Sequence, residues 1–289
     1  MRDRTSWVWI CYEVPLHSGG AMLDPGDIEA DEIRRSALDA SRRRGSLVVS
    51  PSHLARYSNR PQNTAFKLEY CYYLLGDVRG QNVLDYGCGA GENALLLASR
   101  GARVFGIDIS PDLIEIARQR LQINNLSADL RVASGYDTGL PDGSMDLVFC
   151  MAVLHHLDLQ RARREVLRVL KPSGVLILRE PVRDSRTYSF LRKLIPYSSD
   201  LNYENERPLR VEEIDAFTKG MRCEARRRFQ LPFVPIARMV APRLLRRTLQ
   251  LDRWMLDRVP SLGRVATVEV RRVRRIDAAL EEGLNPARA

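Results

Sequence analysis

The sequence predicts an α/β protein built on a mostly parallel sheet, and three observations support this fold class. Between residues 81 and 180, short apolar segments of strand length alternate with helical segments, as repeated βαβ units require. The first of these strands leads into a glycine-rich turn at 87–91, after which a helix pattern begins. The composition is that of a globular protein, with 45% hydrophobic and 28% charged residues, and 289 residues suffice to bury a core.

Apolar spacing and turn residues predict where the elements lie. Ser110 and Pro111 are typical of a helix start, and the segment 171–174 is typical of a helix end. We expect strands near 82–86, 103–107, 129–133, 146–150 and 174–180, with helices near 91–100, 112–124 and 160–170. Outside this region we expect helices in 52–75, near 186–195, near 210–219 and from 231 to 263, and a last strand at 265–270.

The turn at 87–91 has the chemistry of a site for a cofactor without phosphate groups. Its glycines form the pattern GxGxG, which is neither the phosphate-binding GxxxxGK(S/T) loop nor the dinucleotide pattern GxGxxG. The turn contains no Lys or Arg, while Asp85 and Glu92 place negative charge beside it. That charge would repel a pyrophosphate and attract a cation. The glycines allow the backbone to approach a ligand closely.

Asp108 narrows the identity of this cofactor. It ends the next predicted strand, about 20 residues further on, where a carboxylate can bind two ribose hydroxyls. An adenosine-bearing, positively charged cofactor without phosphates is therefore expected, and S-adenosylmethionine (SAM) has these properties. A nicotinamide-dependent dehydrogenase is disfavoured by the glycine spacing.

Four segments resemble, in order and spacing, the motifs of class I SAM-dependent methyltransferases: VLDYGCGAG at 83–91, VFGIDIS at 104–110, LPDGSMDLVFCMAVLHHL at 140–157 and LKPSGVLILREP at 170–181. The third is most similar to the ubiquinone/menaquinone-type branch, which acts on small molecules. The resemblance implies a Rossmann-like fold with a mostly parallel seven-stranded sheet, helices on both faces and a helical cap. It also implies transfer of a methyl group to an O, N or C atom of a small-molecule or lipid-like acceptor.

The resemblance also assigns roles at the cofactor end of the site. The turn, with Gly87, Cys88, Gly89 and Gly91, would border the methionine part of SAM. Asp85 would orient water or backbone near its ammonium group, Asp108 would bind the ribose hydroxyls, and Ile109 would pack on the adenine.

The third motif departs from the family at Tyr136. This residue occupies the position where most relatives have an aspartate near the adenine amino group. Tyr136 could stack on the adenine or form a hydrogen bond with it, or Asp137 could take the role one residue later.

Three residues are candidates at the acceptor end. Cys150 ends the fourth strand, where the family's backbone faces the methionyl amine and the acceptor, so the resemblance also makes it a cofactor contact. We interpret its thiol as structural because no activating cation is adjacent. His155 could act as general base for a hydroxyl acceptor, or the His155–His156 pair could fix the loop. Glu180 could face the acceptor, or form an ion pair with a neighbouring arginine (Arg179 or Arg183).

Cysteine, histidine and hydropathy patterns predict the protein's surroundings. The five cysteines are scattered without a CxxC pair, so we expect reduced core residues in a cytoplasmic protein. The four histidines do not join them at ligand spacing, so no metal site is expected. No apolar run is long enough to span a membrane.

The charge is concentrated near the end of the chain. The net charge is +9, and residues 222–275 alone hold 15 Arg against four acidic residues. We predict a mobile extension at 1–45, a methyltransferase domain at 46–275 with an Arg-rich helical cap at 231–262, and a frayed basic tail at 276–289, with fraying expected from Arg271 onward.

The cap helix is expected to be amphipathic. Leu244, Leu251, Met255 and Val259 form one stripe, and Arg246, Gln250, Arg253 and Asp257 form another. The basic cap could contact an anionic membrane surface, bind an acidic acceptor, bind RNA, or be the solvated face of a lid.

Two alternatives to a small-molecule methyltransferase stay open. An RNA methyltransferase would need base-stacking aromatics among these arginines. Trp254 is the main candidate and is expected to be packed instead, and the end of the fourth strand lacks the (D/N/S)PP(F/Y) motif of enzymes acting on base amino groups. Nucleic acid is therefore disfavoured. A SAM-binding module without catalysis is the second alternative.

Overall fold

The structure is a computed structural model, and it describes residues 33, 47–58, 61–183 and 207–276. Apart from residues 33 and 276, the extension predicted at 1–45 and the tail predicted at 276–289 lie outside the described residues, as does the helix predicted near 186–195.

One sheet organises the described chain, and its strand order is β3-β2-β1-β4-β5-β8-β7. The strands are β1 (Asn82–Tyr86), β2 (Arg103–Asp108), β3 (Asp129–Val132), β4 (Met145–Met151), β5 (Leu170–Arg183), β6 (Leu209–Arg210), β7 (Met221–Phe229) and β8 (Val268–Arg275). Strands β1 to β5 are all parallel to one another. Strand β8 is antiparallel to both β5 and β7, and the short β6 pairs with the end of β5. The predicted mostly parallel sheet is confirmed.

Helices cover both faces of this sheet. They are α1 (Pro51–Ser58), α2 (Lys67–Leu75), α3 (Glu92–Ser99), α4 (Pro111–Ile123), α5 (Leu159–Val169), α6 (Val211–Phe217), α7 (Phe233–Val240) and α8 (Leu245–Arg258). Helix α4 begins as predicted, because the Ser110 side chain accepts a hydrogen bond from the Leu113 N–H and Pro111 occupies the first turn. The helix predicted near 160–170 ends at Val169, directly before the stop signal at 171–174, and β5 starts immediately after it.

The core has two layers, one on each side of the sheet. Alternate strand residues such as Val83 and Ile177 pack with buried side chains of α2, α3 and α4. The intervening residues, such as Leu84 and Leu178, pack with buried side chains of α5 and α6. Successive strand side chains point to opposite faces of the sheet, and both faces are covered, so the central strands are apolar at consecutive positions.

The arginines of the last strand belong to the sheet rather than to a frayed tail. Strand β8 runs from Val268 to Arg275, later than the 265–270 predicted, and Arg271 is buried. Carboxylates hold these arginines in the sheet. Glu269 contacts Arg271 within β8, and Glu224 of β7 accepts hydrogen bonds from Arg272 at 2.7 Å and from Arg274. The prediction of fraying from Arg271 onward is therefore wrong for residues 271–275.

Helices α7 and α8 form the predicted cap, and a buried carboxylate anchors it. Asp252 accepts hydrogen bonds from the backbone N–H groups of Gln230 at 3.1 Å and Leu231 at 2.6 Å, where β7 leads into α7. Leu249 and Val234 pack on Ala65 in the loop before α2. The cap is therefore fixed to the sheet and to the amino-terminal helices by its inner side.

The outer side of the cap differs from expectation. Leu244, Leu251 and Val259, three members of the predicted apolar stripe, are exposed, because Leu249 and Asp252 face inward instead. Trp254, which we expected to be packed, is 56% exposed. The sequence pattern predicted an amphipathic helix correctly but not which apolar residues are covered.

The cysteines are less uniform than predicted. Cys71, Cys88 and Cys150 are buried free thiols, as expected of core residues, whereas Cys223 is exposed near the start of β7. Cys11 lies outside the described residues. Within the described ranges, no helix combines the length and hydropathy needed to cross a membrane.

Candidate functional site

The turn between β1 and α3 holds three glycines with positive φ, and they serve different purposes. A Cβ at Gly87 would lie 2.5 Å from Cγ2 of Val153, and one at Gly91 would lie 2.7 Å from Cβ of Ala117. At Gly89, where φ is +52°, no atom lies within 4 Å of that position. Packing therefore requires glycine at 87 and 91, whereas Gly89 leaves open space at the end of β1 that a ligand can approach.

Asp85 lies beneath this turn as a buried carboxyl group. It is 1% exposed, and among the described residues neither of its oxygens has a hydrogen-bond partner. Burial, followed by the charges of Glu92 and Asp108, raises the pKa of Asp85 to about 8. A buried polar group without a partner costs free energy, which a cationic or hydrogen-bond-donating ligand would offset. This carboxyl group fits the ammonium group of SAM.

Asp108 joins the ends of β1 and β2. Its Oδ2 accepts a hydrogen bond of 2.8 Å from the N–H of Gly89, and its Oδ1 accepts one of 3.0 Å from the N–H of Ser110. Burial raises the pKa of Asp108, although these two hydrogen bonds act in the opposite direction. Each carboxylate oxygen keeps a second acceptor position, so the group fits two ribose hydroxyls. Ile109, the predicted adenine contact, follows it and is only partly buried.

The two cysteines of the predicted cofactor site are packed. Cys88 is 4% exposed beside the glycine turn, and Cys150 is fully buried at the end of β4. Burial raises the pKa of both thiols well above the usual range. Neither thiol is therefore an activated nucleophile, since reactivity requires the thiolate. Their contact with a cofactor stays a prediction.

Tyr136 has partners within the protein. Its hydroxyl oxygen accepts a hydrogen bond of 2.8 Å from the N–H of Asp158, the residue that caps α5, and the Arg161 guanidinium lies 4.1 Å from its ring centroid. Tyr86 supports the same loop by donating its hydroxyl to the carbonyl oxygen of Gly135. These contacts position the loop after β3, and an adenine contact by Tyr136 stays a prediction.

His155 and Glu180 form a dyad at the ends of β4 and β5. The Nδ1 atom of His155 lies 2.8 Å from Oε2 of Glu180, which is completely buried. Oε1 of the same carboxylate accepts hydrogen bonds of 2.9 Å from the N–H groups of Val153 and Leu154. Glu180 therefore pairs with the histidine and with the loop that carries it, rather than only with Arg179 or Arg183 as considered from the sequence.

The hydrogen bond to Glu180 selects one tautomer of the neutral histidine. With Nδ1–H donated to Glu180, Nε2 of a neutral His155 keeps its lone pair and can accept a proton. The His155 side chain is 13% exposed, so a small molecule can reach it only at its edge. The preceding loop is strained, because Ala152 has a φ of +64°, and such strain is often found at functional sites.

His156 continues this row of polar groups toward the cofactor end. Its ring centroid lies 4.0 Å from that of His155, and its charge lowers the pKa of Asp108. Asp108 lies at the end of β2, two strands away from β4 in the sheet order, so this electrostatic effect acts across the ends of the parallel strands.

Sequence reasoning missed a second buried carboxylate, Glu269, which lies opposite Glu180 in the β5–β8 pair. It is completely buried and contacts Arg226 at 3.0 Å, Arg228 at 2.8 Å and Arg271. Opposite residues of an antiparallel pair share one face of the sheet, so this cluster lies beside the dyad. The sequence signal for this cluster was the presence of glutamates among the arginines of β7 and β8.

Two surface cavities flank the sheet. One of about 410 Å³ lies at the amino-terminal edge of the parallel strands, beside Asp146 and Lys171, away from the residues described above. Another of about 330 Å³ lies beyond β7 and is lined by Gln62, Asn63, Tyr70, Arg227, Arg253 and Asp257. The second lies between the segment 52–75, where helices were predicted, and the cap predicted at 231–262. Among the described residues, no group of three or more His, Cys, Asp or Glu is arranged to hold a metal ion.

This strand order, with a glycine turn and two carboxylates at the ends of adjacent parallel strands, defines the Rossmann-like fold of class I SAM-dependent methyltransferases. A family model described as "Methyltransferase domain" matches residues 84–178. This segment belongs to that family, and the resemblance seen in its motifs is confirmed.

A curated relative agrees with this assignment. A ubiquinone biosynthesis O-methyltransferase from Xanthomonas oryzae pv. oryzae is 39% identical over 104 residues, which cover 35% of this chain and 44% of that protein. The chain thus spans less than half the length of this curated relative.

Two solved structures share the fold. A geranyl diphosphate C-methyltransferase from Streptomyces coelicolor A3(2), in complex with Mg²⁺, geranyl diphosphate and S-adenosylhomocysteine, has a TM-score of 0.55 and 16% identity, covering 89% of this chain and all of that one. The 4+2-cyclase SpnF has a TM-score of 0.53 and 19% identity, covering 85% and 93%. At these identities the likeness concerns the fold alone.

Proposed function

We propose that this protein transfers the methyl group of SAM to a hydroxyl oxygen of a small or lipid-like acceptor. The observation that carries the proposal is the placement of two kinds of group at one edge of the sheet. Asp85 and Asp108 flank the open turn at Gly89, and the His155–Glu180 dyad follows on the neighbouring strands. The first group suits the donor, and the second suits an acceptor that must lose a proton.

The donor end of the proposal rests on the carboxylates. Asp85 would face the ammonium group, Asp108 would accept hydrogen bonds from the ribose hydroxyls, and the open side of Gly89 would border the methionine part. When bound, SAM supplies a methyl group that its sulfonium centre has already activated. The protein's contribution is then largely to align the two reactants and exclude water.

The acceptor end rests on His155. Its Nε2 would accept the proton of the acceptor hydroxyl as the new oxygen–carbon bond forms and the carbon–sulfur bond breaks, with S-adenosylhomocysteine as the leaving group, and Glu180 would stabilise the resulting imidazolium. A hydroxyl needs such a base, whereas many nitrogen and carbon nucleophiles do not. The dyad therefore favours oxygen among the O, N and C acceptors that the resemblance allows. The relative that is an O-methyltransferase supports the same choice.

A small or lipid-like acceptor is favoured over RNA. The curated relative described above is named as an O-methyltransferase of ubiquinone biosynthesis, and the end of β4 lacks the motif of base-amino methyltransferases. A lipid-like acceptor would be met at a membrane surface, so the proposal includes peripheral membrane association.

The first experiment separates donor binding from methyl transfer, because the fold is shared with a cyclase and does not by itself imply transfer. Titration of the full chain with SAM by calorimetry should give binding that is at least about tenfold weaker for Asp108→Ala. Labelled SAM should then transfer its methyl group to the lipid or small-molecule fraction of a cell extract.

The outcomes are distinct. Absence of SAM binding by the wild type, or undiminished binding by Asp108→Ala, would refute the donor site. Binding without transfer to any fraction would identify a SAM-binding module without methyltransferase activity. Label in the RNA fraction would overturn the choice of acceptor, while label in lipids or small molecules would support it.

A further inference from the structure

The outer side of the cap exposes an unusual share of large apolar side chains. Among the described residues, thirteen large hydrophobic side chains are exposed, and seven of them lie between 236 and 259. We call six of these, together with five arginines, the cap surface: Ile236, Met239, Val240, Leu244, Leu251 and Trp254 with Arg238, Arg243, Arg246, Arg247 and Arg258. Single exposed apolar residues are ordinary, whereas a concentration of them indicates an interaction site.

The exposed residues follow helical spacing. On α7, Ile236, Met239 and Val240 occupy positions i, i+3 and i+4, so they form one outward stripe, with Met239 64% and Val240 68% exposed. The packed side of the same helix is formed by Val234 and Phe233 on the loop before α2. The outward stripe therefore takes no part in holding the cap to the domain.

Helix α8 presents basic and apolar residues together. Arg247, Leu251, Trp254 and Arg258 are spaced four, three and four residues apart, which places them on one outward face. The Arg258 guanidinium lies 5.6 Å from the Trp254 ring centroid. Such a face, with tryptophan and leucine between arginines, is the composition of helices that lie in the interfacial region of a bilayer.

The charges of the cap are not neutralised within the described protein. Residues 231–264 contain seven Arg and two acidic residues. Asp252 is buried as the anchor of the cap, and Asp257 pairs with Arg253 at 3.0 Å. No ion pair with Arg238, Arg243, Arg246, Arg247 or Arg258 occurs in the parts of the chain that the structure describes.

Six of the eight arginines of β7 and β8 behave differently, because they form ion pairs with Glu224 or Glu269. The basic excess predicted from the sequence therefore has two parts. In the hairpin these six arginines share two carboxylates, whereas the five arginines of the cap surface have no carboxylate partner among the described residues.

We propose that the cap surface binds the surface of a membrane rich in anionic phospholipid. The arginines would contact the lipid phosphates, and the apolar side chains would enter the boundary between headgroups and acyl chains. RNA fits less well, because single-stranded nucleic acid is held by stacking on aromatic rings, and Trp254 is the only aromatic residue of the cap surface. Aliphatic residues such as Met239 and Val240 have no comparable role on RNA.

Vesicle binding by the full chain tests this inference. We expect the protein to cosediment with vesicles of phosphatidylcholine and phosphatidylglycerol but not with vesicles of phosphatidylcholine alone. The double variant Leu251→Glu/Trp254→Glu and the double variant Arg243→Glu/Arg247→Glu should each bind at least about tenfold more weakly. The second loss should be matched by a loss of binding when salt is added to the wild type.

Matched controls come from the opposite end of the sheet. Ile123 and Val132 are each 49% exposed, as Leu251 is at 48%, and they lie on α4 and β3. Ile123→Glu and Val132→Glu should leave vesicle binding unchanged. Thermal unfolding of all variants should stay cooperative and near the wild-type temperature, since the altered side chains are outside the core.

Each contrary result has a definite meaning. Failure of the wild type to bind anionic vesicles, or equal loss in the Ile123 and Val132 controls, would overturn the proposal. Salt-sensitive binding to tRNA without binding to vesicles would assign the cap surface to nucleic acid. Self-association that disappears in the Leu251→Glu/Trp254→Glu variant, without vesicle binding, would assign it to a second copy of this chain. None of these outcomes depends on methyl transfer.

Discussion

Oε2 of Glu180 lies 2.8 Å from Nδ1 of His155, and its other oxygen holds the loop on which that histidine is carried. This arrangement determines which nitrogen of the ring is free. The carboxylate accepts a hydrogen bond from Nδ1–H, so Nε2 faces away from it as the available base.

Replacement of Glu180 by glutamine should therefore reverse the tautomer. The glutamine amide group can donate to Nδ1, which places the proton on Nε2 and removes its lone pair. We expect methyl transfer to fall by about 10²–10⁴-fold, the usual contribution of a general base. His155→Gln should give a similar loss. The rates of both variants are to be measured with saturating SAM.

The separation of rate from donor affinity distinguishes this role from a merely structural one. SAM affinity should stay within about twofold in both variants, since the dyad lies outside the predicted donor contacts. A Glu180→Gln enzyme with the wild-type rate would show that His155 is not the base.

Asp85 should reduce stability at neutral pH. Its pKa is about 8 in the folded chain, whereas an ordinary Asp has a pKa of 3.8. Between these values the folded state binds more protons than the unfolded state, so the free energy of unfolding decreases as pH rises, by up to about 1.4 kcal/mol per pH unit. Asp85→Asn removes this titration. The variant should unfold at nearly the wild-type temperature near pH 4 and at a clearly higher temperature at pH 8.

The same variant should bind SAM more weakly, by about tenfold or more, because the neutral amide replaces a carboxylate facing a cation. Stability and binding would then change in opposite directions. Asp77→Asn, which removes an exposed carboxylate at the other edge of the sheet, should show neither effect. Equal pH dependence of unfolding in wild type and Asp85→Asn would contradict the raised pKa.

Two glycines of one turn should respond differently to alanine. At Gly91, with φ of +78°, the new methyl group would lie 2.7 Å from Cβ and 3.0 Å from Cα of Ala117, so we expect a loss of about 2–4 kcal/mol in the free energy of unfolding. At Gly89 the space is open, so the cost should be about 1 kcal/mol from backbone conformation alone. Chemical denaturation measures both.

SAM titration completes this comparison. Gly89→Ala should weaken binding by about tenfold or more, because its methyl group would occupy the approach to the turn. If Gly89→Ala bound SAM as tightly as the wild type, the open side of Gly89 would not be the donor site.

Local sequence signals predicted the strands β1 to β4, the glycine turn and the start of α4, because each is determined by residues close together in the chain. The pairing of His155 with Glu180 was not predictable in this way. The two residues are 25 positions apart, and only the register between β4 and β5 brings them together.

The errors near the end of the chain have a related cause. Arg271 looked like part of a solvated tail, since charge runs usually are. Its burial depends on Glu269 beside it and on Asp215 of α6, which lies 2.6 Å from its guanidinium. Helix α8 has apolar residues on more than one side, so either side could have packed on the domain. The amphipathic pattern alone could not show that Leu249 would be covered and Leu251 exposed.

Glu269 gives the last prediction, because the same hairpin contains a matched control. Glu269 and Glu224 each contact three arginines, but the Glu269 side chain is fully buried whereas that of Glu224 is 21% exposed. Glu269→Gln would remove the buried negative charge that three arginines share and would leave Arg271 paired only with the half-exposed Asp215, so we expect a loss of about 3–5 kcal/mol in the free energy of unfolding. Glu224→Gln should cost about 1 kcal/mol or less, because water screens its pairs. Urea denaturation of the two variants measures the difference, and equal losses would mean that burial does not determine the strength of these clusters.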